Sequence, residues 1–321
     1  MSRVLVTGAN GFVGRHLCSQ MISRGHVVTA SVRRPGLAPE GAREVIVGDL
    51  GPDTDWEGAL DGQEYVVHLA ARVHVMAESS SDPHAAFAKA NAAGTVRLAE
   101  QAILAGVDRL VYVSSIKAQG EGGPSSYAVT DASSPTDAYG LSKLRAEEGL
   151  RRLEREFEFG IVILRPPLVY GGGVGGNLLR LMKIIERGIP LPLASVHNQR
   201  AMISVDNFTN IIALCIGPDF GTADAVLVAD SESLSTADII RELAAGLGRR
   251  PRLFPFPPRL LELAGSLSGR RPEVERLIGD LKVITNISQF IPNYTEVVAT
   301  RVALRATGRV FASRSDTRAG D

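Results

Sequence analysis

Cysteine is scarce in this chain, whose 321 residues include only Cys18 and Cys215. Both stand within apolar patterns typical of helices, and neither has a second cysteine or a histidine at the spacing of metal ligands. The sequence therefore predicts reduced, buried thiols of the kind found in cytosolic proteins, and it predicts no bound metal.

Net charge and long apolar runs are also missing. The 35 Lys and Arg residues balance the 35 Asp and Glu residues, so the overall field favours neither nucleic acid nor an anionic membrane as a partner. No apolar run reaches the length that spans a bilayer, and the chain enters an apolar segment directly, without a charged leader. We expect a cytoplasmic protein with no nucleic-acid or membrane partner.

A glycine-rich turn follows the first apolar segment. Residues 1–7 read as a buried strand and residues 12–24 as a helix with one apolar face. Between them runs the sequence Gly8-Ala9-Asn10-Gly11-Phe12-Val13-Gly14. Glycines let the backbone approach a pyrophosphate, whose charge the helix N-terminus then meets. A plain strand-to-helix turn would show the same glycines, so this pattern is weak evidence by itself.

The end of the second strand, residues 26–32, indicates which dinucleotide binds. NAD-binding proteins usually place Asp or Glu there for the adenosine ribose, about 20 residues past the loop. Here the strand ends at Val32, and Arg33 and Arg34 follow. Guanidinium groups pair with phosphate in a bidentate fork, which suits the 2′-phosphate of NADP(H), although the arginines could also simply begin a solvated loop. We expect NADP(H) in preference to NAD(H).

Strands and helices alternate through the first half of the chain, which predicts a doubly wound α/β fold with a parallel sheet. Further strands are predicted at 44–49, 65–71, 110–115 and 160–164, and further helices at 54–60, 83–106 and 138–156. Ligands bind such sheets at the carboxyl ends of the strands, and we expect one crevice lined from several strands by Asp49, Ala70, Ala71, Ser115 and Arg165. Residues 120–126, rich in Gly, Ser and Pro, are predicted to form an active-site loop.

Three side chains could carry out hydride-transfer chemistry. Tyr139 and Lys143 lie one turn apart on a predicted helix, and Ser115 ends a predicted strand. A tyrosine hydroxyl has a reference pKa of about 10, so a nearby cation such as Lys143 is needed to favour the phenolate at neutral pH. Ser115 could donate a hydrogen bond to the substrate oxygen. The alternative is a surface pair on one helix and a serine that caps another.

These motifs resemble those of extended short-chain dehydrogenases/reductases, specifically the NAD-dependent epimerase/dehydratase family and its UDP-glucose 4-epimerase-like group. The resemblance covers about residues 3–280 and rests on Thr7-Gly8-x-x-Gly11-x-x-Gly14, Gly48-Asp49-Leu50, His68-Leu69-Ala70-Ala71, Asn91-x-x-Gly94-Thr95, Ser114-Ser115, Tyr139-x-x-x-Lys143 and the segment Arg165 to Gly171. It implies a Rossmann-like domain in 1–170 and a smaller C-terminal α/β subdomain in 171–285, interleaved with the first, that binds a nucleotide-sugar. Residues 286–321 depart from the family pattern and read as a divergent helix or a disordered tail.

The resemblance also assigns residues to the cofactor. The glycine-rich loop would bind through Gly8, Asn10, Gly11, Phe12, Val13 and Gly14, and Asp49 and Leu50 would meet the adenine. The other cofactor residues it implies are Leu69, Ala70, Ala71, Asn91, Ser114, Tyr139, Lys143 and Pro166. Among these, Asn91 would support the active-site helix, and Pro166 would face the nicotinamide.

The substrate side follows from the same resemblance. Asn177 and Arg200 match positions that hold the diphosphate of a UDP-sugar, and Leu191 would lie against the uracil. Arg276 is a third phosphate candidate or an exposed helix residue. Ser115 and Lys117 would reach the sugar, although Lys117 could instead point into solvent. Two copies of the chain would pair through helices 83–106 and 138–156, as is usual in the family. The apolar stripes of both helices could equally be explained by packing on the sheet of the same chain.

Several reactions are compatible with this site. Relatives that dehydrate the sugar place Asp-Glu directly after the catalytic Ser or Thr, whereas Ile116-Lys117 stand here, which disfavours dehydration. A 4-epimerase with bound NAD, which the family resemblance favours, and a 4-ketoreductase that uses NADPH both remain. Because Arg33 and Arg34 suit NADPH, we expect the ketoreductase, acting at C4 of a UDP-hexose or UDP-N-acetylhexosamine. A non-catalytic NADP(H)-binding regulator is the alternative of another class, which the presence of Ser115, Tyr139 and Lys143 disfavours.

Overall fold

The computed structural model describes residues 1–73, 82–120, 126–217, 220, 223–269 and 271–319. Most of the predicted active-site loop, residues 121–125, lies outside these residues. The strands are β1 (Arg3–Thr7), β2 (Val27–Val32), β3 (Arg43–Ile46), β4 (Tyr65–His68), β5 (Arg109–Val113), β6 (Ser126–Tyr127), β7 (Gly160–Arg165), β8 (Leu168–Tyr170), β9 (Met202–Ser204), β10 (Ala223–Leu227) and β11 (Lys282–Val283).

Helices connect and cover these strands. They are α1 (Phe12–Ser23), α2 (Glu57–Leu60), α3 (Pro83–Phe87), α4 (Gly94–Leu104), α5 (Ile116–Gln119), α6 (Ala138–Phe157), α7 (Gly176–Glu186), α8 (Val205–Cys215), α9 (Thr236–Gly246), α10 (Pro258–Leu267), α11 (Arg271–Ile278) and α12 (Thr300–Ala319). A π-helical segment, Ala88–Ala93, joins α3 to α4, and a 3₁₀ turn covers Ile287–Gln289.

Seven strands form one parallel sheet in the order β10-β7-β5-β4-β1-β2-β3. The chain winds outward from β1 to β3 and then crosses to β4 on the other side of β1. This reversal creates a crevice at the carboxyl ends of β1 and β4, where doubly wound sheets bind their ligands. The predicted fold class is confirmed.

The sheet is buried on both faces because its strands carry consecutive apolar residues. Along β1, Val4 and Val6 pack toward α1 and α8, whereas Leu5 packs toward α4 and α6. All three side chains are fully buried, as the alternation of side chains along a strand requires when helices cover both faces.

The C-terminal half has its own apolar cluster, built from α7, α9 and α12 around Met182, Leu243 and Leu304. The two-stranded sheet of β8 and β9 borders it. By contrast, α8 packs on the large sheet and β10 extends its edge, although both lie within 171–285. Elements within 171–285 thus contribute both to the large sheet and to the C-terminal cluster.

Within the segment 286–319, the helix α12 packs tightly on α9, which favours the divergent-helix alternative for residues 300–319. A Cβ added at Gly308 would lie 2.5 Å from the Leu243 carbonyl oxygen, and one at Gly246 would overlap the Arg305 carbonyl oxygen. Arg301 and Arg305 both pair with the buried Glu242. Residues 300–319 thus form a helix in which buried residues such as Leu304 are interspersed with arginines.

Some element ends also differ from the prediction. The strands β3 and β4 end at Ile46 and His68, earlier than expected, so Asp49, Ala70 and Ala71 lie in the loops that follow them. Within the described part of the chain, no helix is long and apolar enough to cross a membrane.

Leu304→Ala tests whether α12 is part of the folded core. Leu304 is 0% exposed, so we expect the substitution to lower the free energy of unfolding by about 3 kcal/mol. Val302→Ala, on the same helix at a side chain that is 55% exposed, should change it by less than about 0.5 kcal/mol. Urea unfolding measures both, and equal, small effects would mean that α12 is not docked.

Candidate active site

The glycine-rich loop connects β1 to α1 through close backbone contacts. Gly8 has φ +65°, and a Cβ there would lie 2.8 Å from the Ala70 nitrogen. The Gly11 N–H donates to the Gly8 carbonyl oxygen at 2.9 Å, and a Cβ at Gly14 would overlap that same oxygen. Only glycine fits Gly8 and Gly14 without moving the loop.

The N-terminus of α1 suits an anionic group. Gly11 is its N-cap in extended conformation, and among the described residues no side chain caps it. Backbone N–H groups of the first turn can therefore meet a pyrophosphate, so the loop fits a dinucleotide. The side chains of Phe12 and Val13 pack against the apolar clusters, so these two residues would contact a dinucleotide through their backbone groups. The Asn10 carbonyl accepts a hydrogen bond from the Arg15 Nε at 2.8 Å.

A buried polar network fixes the crevice floor, and sequence reasoning missed it. His68 is hydrogen-bonded through Nδ1 to the Thr7 hydroxyl at 2.6 Å and through Nε2 to the Thr95 hydroxyl at 2.9 Å. The Ala70 N–H donates to the Thr7 oxygen at 3.1 Å, which places Ala70 against Gly8. Burial, and then the Lys143 charge, lower the pKa of His68 to about 3, so the imidazole is neutral. The motif His68-Leu69-Ala70-Ala71 was the available signal.

Arg33 and Arg34 line a cleft of about 310 Å³ together with Leu37, Gly48 and Asp49. Arg33 Nη1 lies 3.6 Å from an Asp49 carboxylate oxygen, and both side chains are exposed. The cleft in which the adenosine ribose is expected therefore contains the Asp49 carboxylate, which follows β3, as well as the two arginines.

Glu44 holds the loop of that cleft in place. Its carboxylate accepts from the N–H groups of Gly36, Leu37 and Ala38, each at 3.0 Å, and these hydrogen bonds lower the pKa of Glu44. Leu50, nearby, is half-buried and packs against the cluster between the sheet and α4.

Asn91 joins the crevice to the helix that carries Tyr139. Its Oδ1 accepts from the Arg72 N–H at 2.7 Å, and its Nδ2 donates to the Arg72 carbonyl and to the Ser142 hydroxyl, both at 3.0 Å. The Ser142 hydroxyl donates to the Tyr139 carbonyl at 2.7 Å. Asn91 lies in the π-helical segment, an irregularity common at functional sites.

Lys143 lies beneath the catalytic candidates. Its side chain is buried, with Nζ 2.8 Å from the Val113 carbonyl oxygen and 5.9 Å from the centre of the Tyr139 ring. Burial lowers the pKa of Lys143 to about 7, and the Glu147 carboxylate opposes this shift. The pKa of the half-buried Tyr139 is raised, by burial first and then by Asp137.

Ser115 and Tyr139 belong to adjoining elements at the carboxyl end of β5. Ser115 is the N-cap of α5, where its Oγ accepts from the Lys117 N–H at 3.2 Å. Gly140, next to Tyr139, lets α6 approach the Lys117 carbonyl, where a Cβ would overlap. The Pro166 carbonyl accepts from the Ile116 N–H at 2.9 Å, so Pro166 borders the same site.

A buried ion pair lies behind this site. Arg165 Nη2 and a Glu147 carboxylate oxygen are 2.5 Å apart, and Arg165 also donates to Gln119. Ser114 donates to the same Glu147 carboxylate, so the hydroxyl of this cofactor candidate is engaged within the protein. The removal of one partner of such a pair would leave a buried charge, which makes the group a rigid support for α6.

Lys117 forms an ion pair that the sequence analysis did not predict. Its ammonium forms an ion pair with Asp137 at 2.6 Å, instead of extending into solvent. Sugar contact by Lys117 stays a prediction.

The predicted diphosphate residues lie on separate elements of the C-terminal half. Arg200 pairs its backbone with Leu234 and Leu281, and its Nη1 donates to the Gly279 carbonyl at 3.3 Å. Arg276 is exposed on α11, which ends just before Gly279. Asn177 is exposed in the first turn of α7.

Leu191 is half-buried and pairs with Leu253. Arg200 contacts segment 277–281, which directly follows Arg276 in the chain. A shared ligand that links all four residues stays a prediction.

The fold and the glycine-rich loop are those of a dinucleotide-dependent enzyme. The model of the NAD dependent epimerase/dehydratase family matches residues 4–222. The UDP-glucose 4-epimerase of Vibrio cholerae is 38% identical over 283 residues, which cover 87% of this chain and 86% of the relative. The chain therefore belongs to the NAD dependent epimerase/dehydratase family and is an NAD-dependent extended short-chain dehydrogenase/reductase.

Two further similarities describe the range of relatives. A ceramide reductase of Caulobacter vibrioides is 30% identical over 268 residues, 82% of this chain and 76% of that protein. The structure of MoeE5 in complex with UDP-glucuronic acid and NAD is 26% identical, with a TM-score of 0.76, and the match covers 98% of this chain and 99% of MoeE5.

Gly14→Ala tests the loop as the dinucleotide site. The added Cβ must displace the Gly8 carbonyl, so we expect NADH affinity to fall roughly ten- to a hundredfold. Gly58→Ala, in α2 where a Cβ meets open space, is the matched control and should bind NADH normally. Calorimetric titration of both variants, with circular dichroism to confirm folding, decides; normal binding by a folded Gly14→Ala variant would place the dinucleotide elsewhere.

Proposed function

We propose that the enzyme oxidises and reduces C4 of a UDP-hexose or UDP-N-acetylhexosamine, with epimerisation at C4 as the leading reaction. The observation that carries this proposal is the junction of α5 and α6, which brings Ser115 and Tyr139 to the carboxyl end of β5 above the buried Lys143. The 38% identity to a UDP-glucose 4-epimerase supports the reaction, and the UDP-glucuronic acid held by MoeE5 supports the substrate class.

The chain's own residues divide the chemistry at C4. Tyr139 takes the proton of the C4 hydroxyl during oxidation and returns it on reduction, while Ser115 donates a hydrogen bond to the same oxygen. Lys143 supplies the cation that favours the phenolate, and Glu147 supports that charge from the next turn of α6. NAD, when bound, supplies the hydride acceptor.

Nothing at the residues after Ser115 supports dehydration. Ile116 is buried in an apolar cluster with Tyr127, and Lys117 is paired with Asp137. Removal of water from C5 and C6 needs an additional acid and base. Neither Ile116 nor Lys117 offers a carboxyl group for that task.

For the nucleotide part of the substrate, we propose a diphosphate site formed by Arg200 and Arg276 with Asn177, and a uracil site at Leu191. The contact of Arg200 with Gly279, one turn beyond Arg276 at the end of α11, supports the first part. Guanidinium groups bind diphosphate oxygens in a bidentate fork.

We also propose a homodimer that forms through the outer faces of α4 and α6. Within one chain these helices already pack side by side, with Val96 of α4 against Gly149 of α6.

A 4-ketoreductase that uses NADPH is the second candidate. The arginines of the adenosine cleft favour it, since Arg33 and Arg34 suit a 2′-phosphate. Asp49 favours NAD instead, because its carboxylate lies beside Arg33 and would repel that phosphate.

The dinucleotide of the freshly purified protein separates these two candidates. An epimerase reuses one cofactor, so we expect tightly retained NAD; an empty site that binds NADPH more tightly than NADH would establish the reductase. In the second case, Arg34→Ala should weaken NADPH binding about tenfold or more and leave NADH binding unchanged. Mass spectrometry of the released cofactor and titration of the stripped protein give both answers.

Tyr139→Phe tests the chemistry itself. We expect conversion of UDP-glucose or UDP-N-acetylglucosamine to the 4-epimer, followed by proton NMR, to fall at least about a hundredfold because the proton-transfer group is lost. Dinucleotide affinity should stay unchanged. A wild-type protein that binds the dinucleotide but turns over no UDP-sugar or 4-keto UDP-sugar would instead be a binding regulator.

A further inference from the structure

Lys117 and Asp137 form an ion pair that joins the element of Ser115 to the element of Tyr139. We propose that Lys117 is a positioning residue that acts through Asp137 on Tyr139, holding the tyrosine beside Ser115 and offsetting the charge of Asp137. The inference rests on the proposed function of Tyr139 as the proton-transfer group, and it replaces direct contact with the sugar as the task of Lys117.

The ion pair is built into the start of α6. Asp137 is the N-cap of α6, and its Oδ1 accepts from the Gly140 N–H at 2.7 Å. Its Oδ2 lies 2.6 Å from the Lys117 ammonium. One carboxylate thus fixes the first turn, which contains Tyr139, and ties it to α5.

Backbone contact closes the same junction from the other side. Gly140 faces the Lys117 carbonyl so closely that a Cβ there would overlap it, and Pro135 lies on the same side of Gly140. Ser115 caps α5 two residues before Lys117. A movement of Lys117 would therefore change the separation between Ser115 and Tyr139.

Partial burial makes the pair stronger than an ordinary surface ion pair. The side chains of Lys117 and Asp137 are 19% and 24% exposed. Exposed pairs contribute little because water and salt screen them, whereas screening is weaker for partly buried charges.

The charge of Asp137 opposes the chemistry assigned to Tyr139. A negative charge near the phenol disfavours the phenolate, and Asp137 is the charged group that raises the pKa of Tyr139 in addition to burial. The ammonium of Lys117 bears directly on that carboxylate, so its removal would leave Asp137 uncompensated two residues from Tyr139.

Other groups near Tyr139 set the background for this effect. Lys143 lies under its ring, and Tyr112 on β5 lies beneath Lys143. From the loop after β4, Arg72 stacks over Phe87, whose ring meets the Tyr139 ring edge-on at 6.1 Å. Of the groups named here, Asp137 is in ion-pair contact with Lys117.

A double-mutant cycle tests the inference. Lys117→Met removes the ammonium, Asp137→Asn removes the carboxylate but keeps a good N-cap, and the double variant removes both charges. Lys117→Arg is the conservative rescue. Arg241→Met removes the cation of an exposed pair with Asp238 on α9, at 2.7 Å, and is the matched control.

Two measurements follow each variant. The first is the pH profile of kcat and KM with the UDP-sugar substrate. The second needs no turnover: a fluorinated tyrosine, whose phenol titrates at lower pH, is incorporated and followed by ¹⁹F NMR with NAD bound, and the signal of position 139 is assigned with Tyr139→Phe. If no UDP-sugar is turned over, the proposed function fails while this titration still decides the inference.

We expect Lys117→Met to move the acidic limb of kcat, and the ¹⁹F titration of position 139, up by about one pH unit, which lowers kcat about tenfold below the limb. KM should change less than about twofold. Asp137→Asn should move both midpoints down, the double variant and Lys117→Arg should return them close to wild type, and Arg241→Met should not move them.

Two results would overturn the inference. A raised KM for Lys117→Met with an unmoved pH limb, not rescued by Asp137→Asn, would mean that Lys117 contacts the sugar. A lowered melting temperature with unmoved midpoints in both measurements would mean that the ion pair serves only stability.

Discussion

The close approach of backbones at the carboxyl end of β1 is the constraint on which the site depends. Gly8 turns the chain in a left-handed conformation against Ala70, and Gly14 brings α1 against the Gly8 carbonyl. Together they hold the free N–H groups of α1 directly above the sheet's switch point. The Thr7–His68 network keeps β4 in register with this turn, since a neutral imidazole accepts and donates without a charge to solvate.

Helix α6 carries the residues proposed to do the chemistry at that crevice. Tyr139, Lys143 and Glu147 recur every four residues and so share one face of the helix. Their environments differ by depth: Tyr139 is half-buried, whereas Lys143 and Glu147 are fully enclosed. Glu147 forms an ion pair with Arg165 from β7. The charged groups behind Tyr139 are therefore Lys143, Glu147 and Arg165. The ion pair with Arg165 offsets the cost of burying the Glu147 charge.

Hydrogen bonds from single side chains hold the outer parts of the site in place. Glu44 orders the loop of the adenosine cleft through three backbone N–H groups. Asn91 ties the loop after β4 to α6. Neither side chain does chemistry, yet both fix where the chemically active residues of neighbouring elements can lie. Arg33 follows β2 and Asp49 follows β3, and the two side chains meet in that cleft. The proposed preference for NAD or NADP therefore depends on how these two residues are placed relative to each other.

The sequence by itself determined the parallel sheet, the dinucleotide loop and the order of the Tyr-Lys-Ser residues, because strand alternation, glycine requirements and helix periodicity are local properties. Only the tertiary structure decided the partners of charged side chains. It placed Lys117 on Asp137, Asp49 beside Arg33 and Ser114 on Glu147, residues separated along the chain and joined by helix and strand packing. It also decided the packing of α12, whose small residues match α9 through contacts that no local pattern encodes. Long-range contacts depend on how helices and strands pack against each other, and the local patterns of a sequence do not specify that packing.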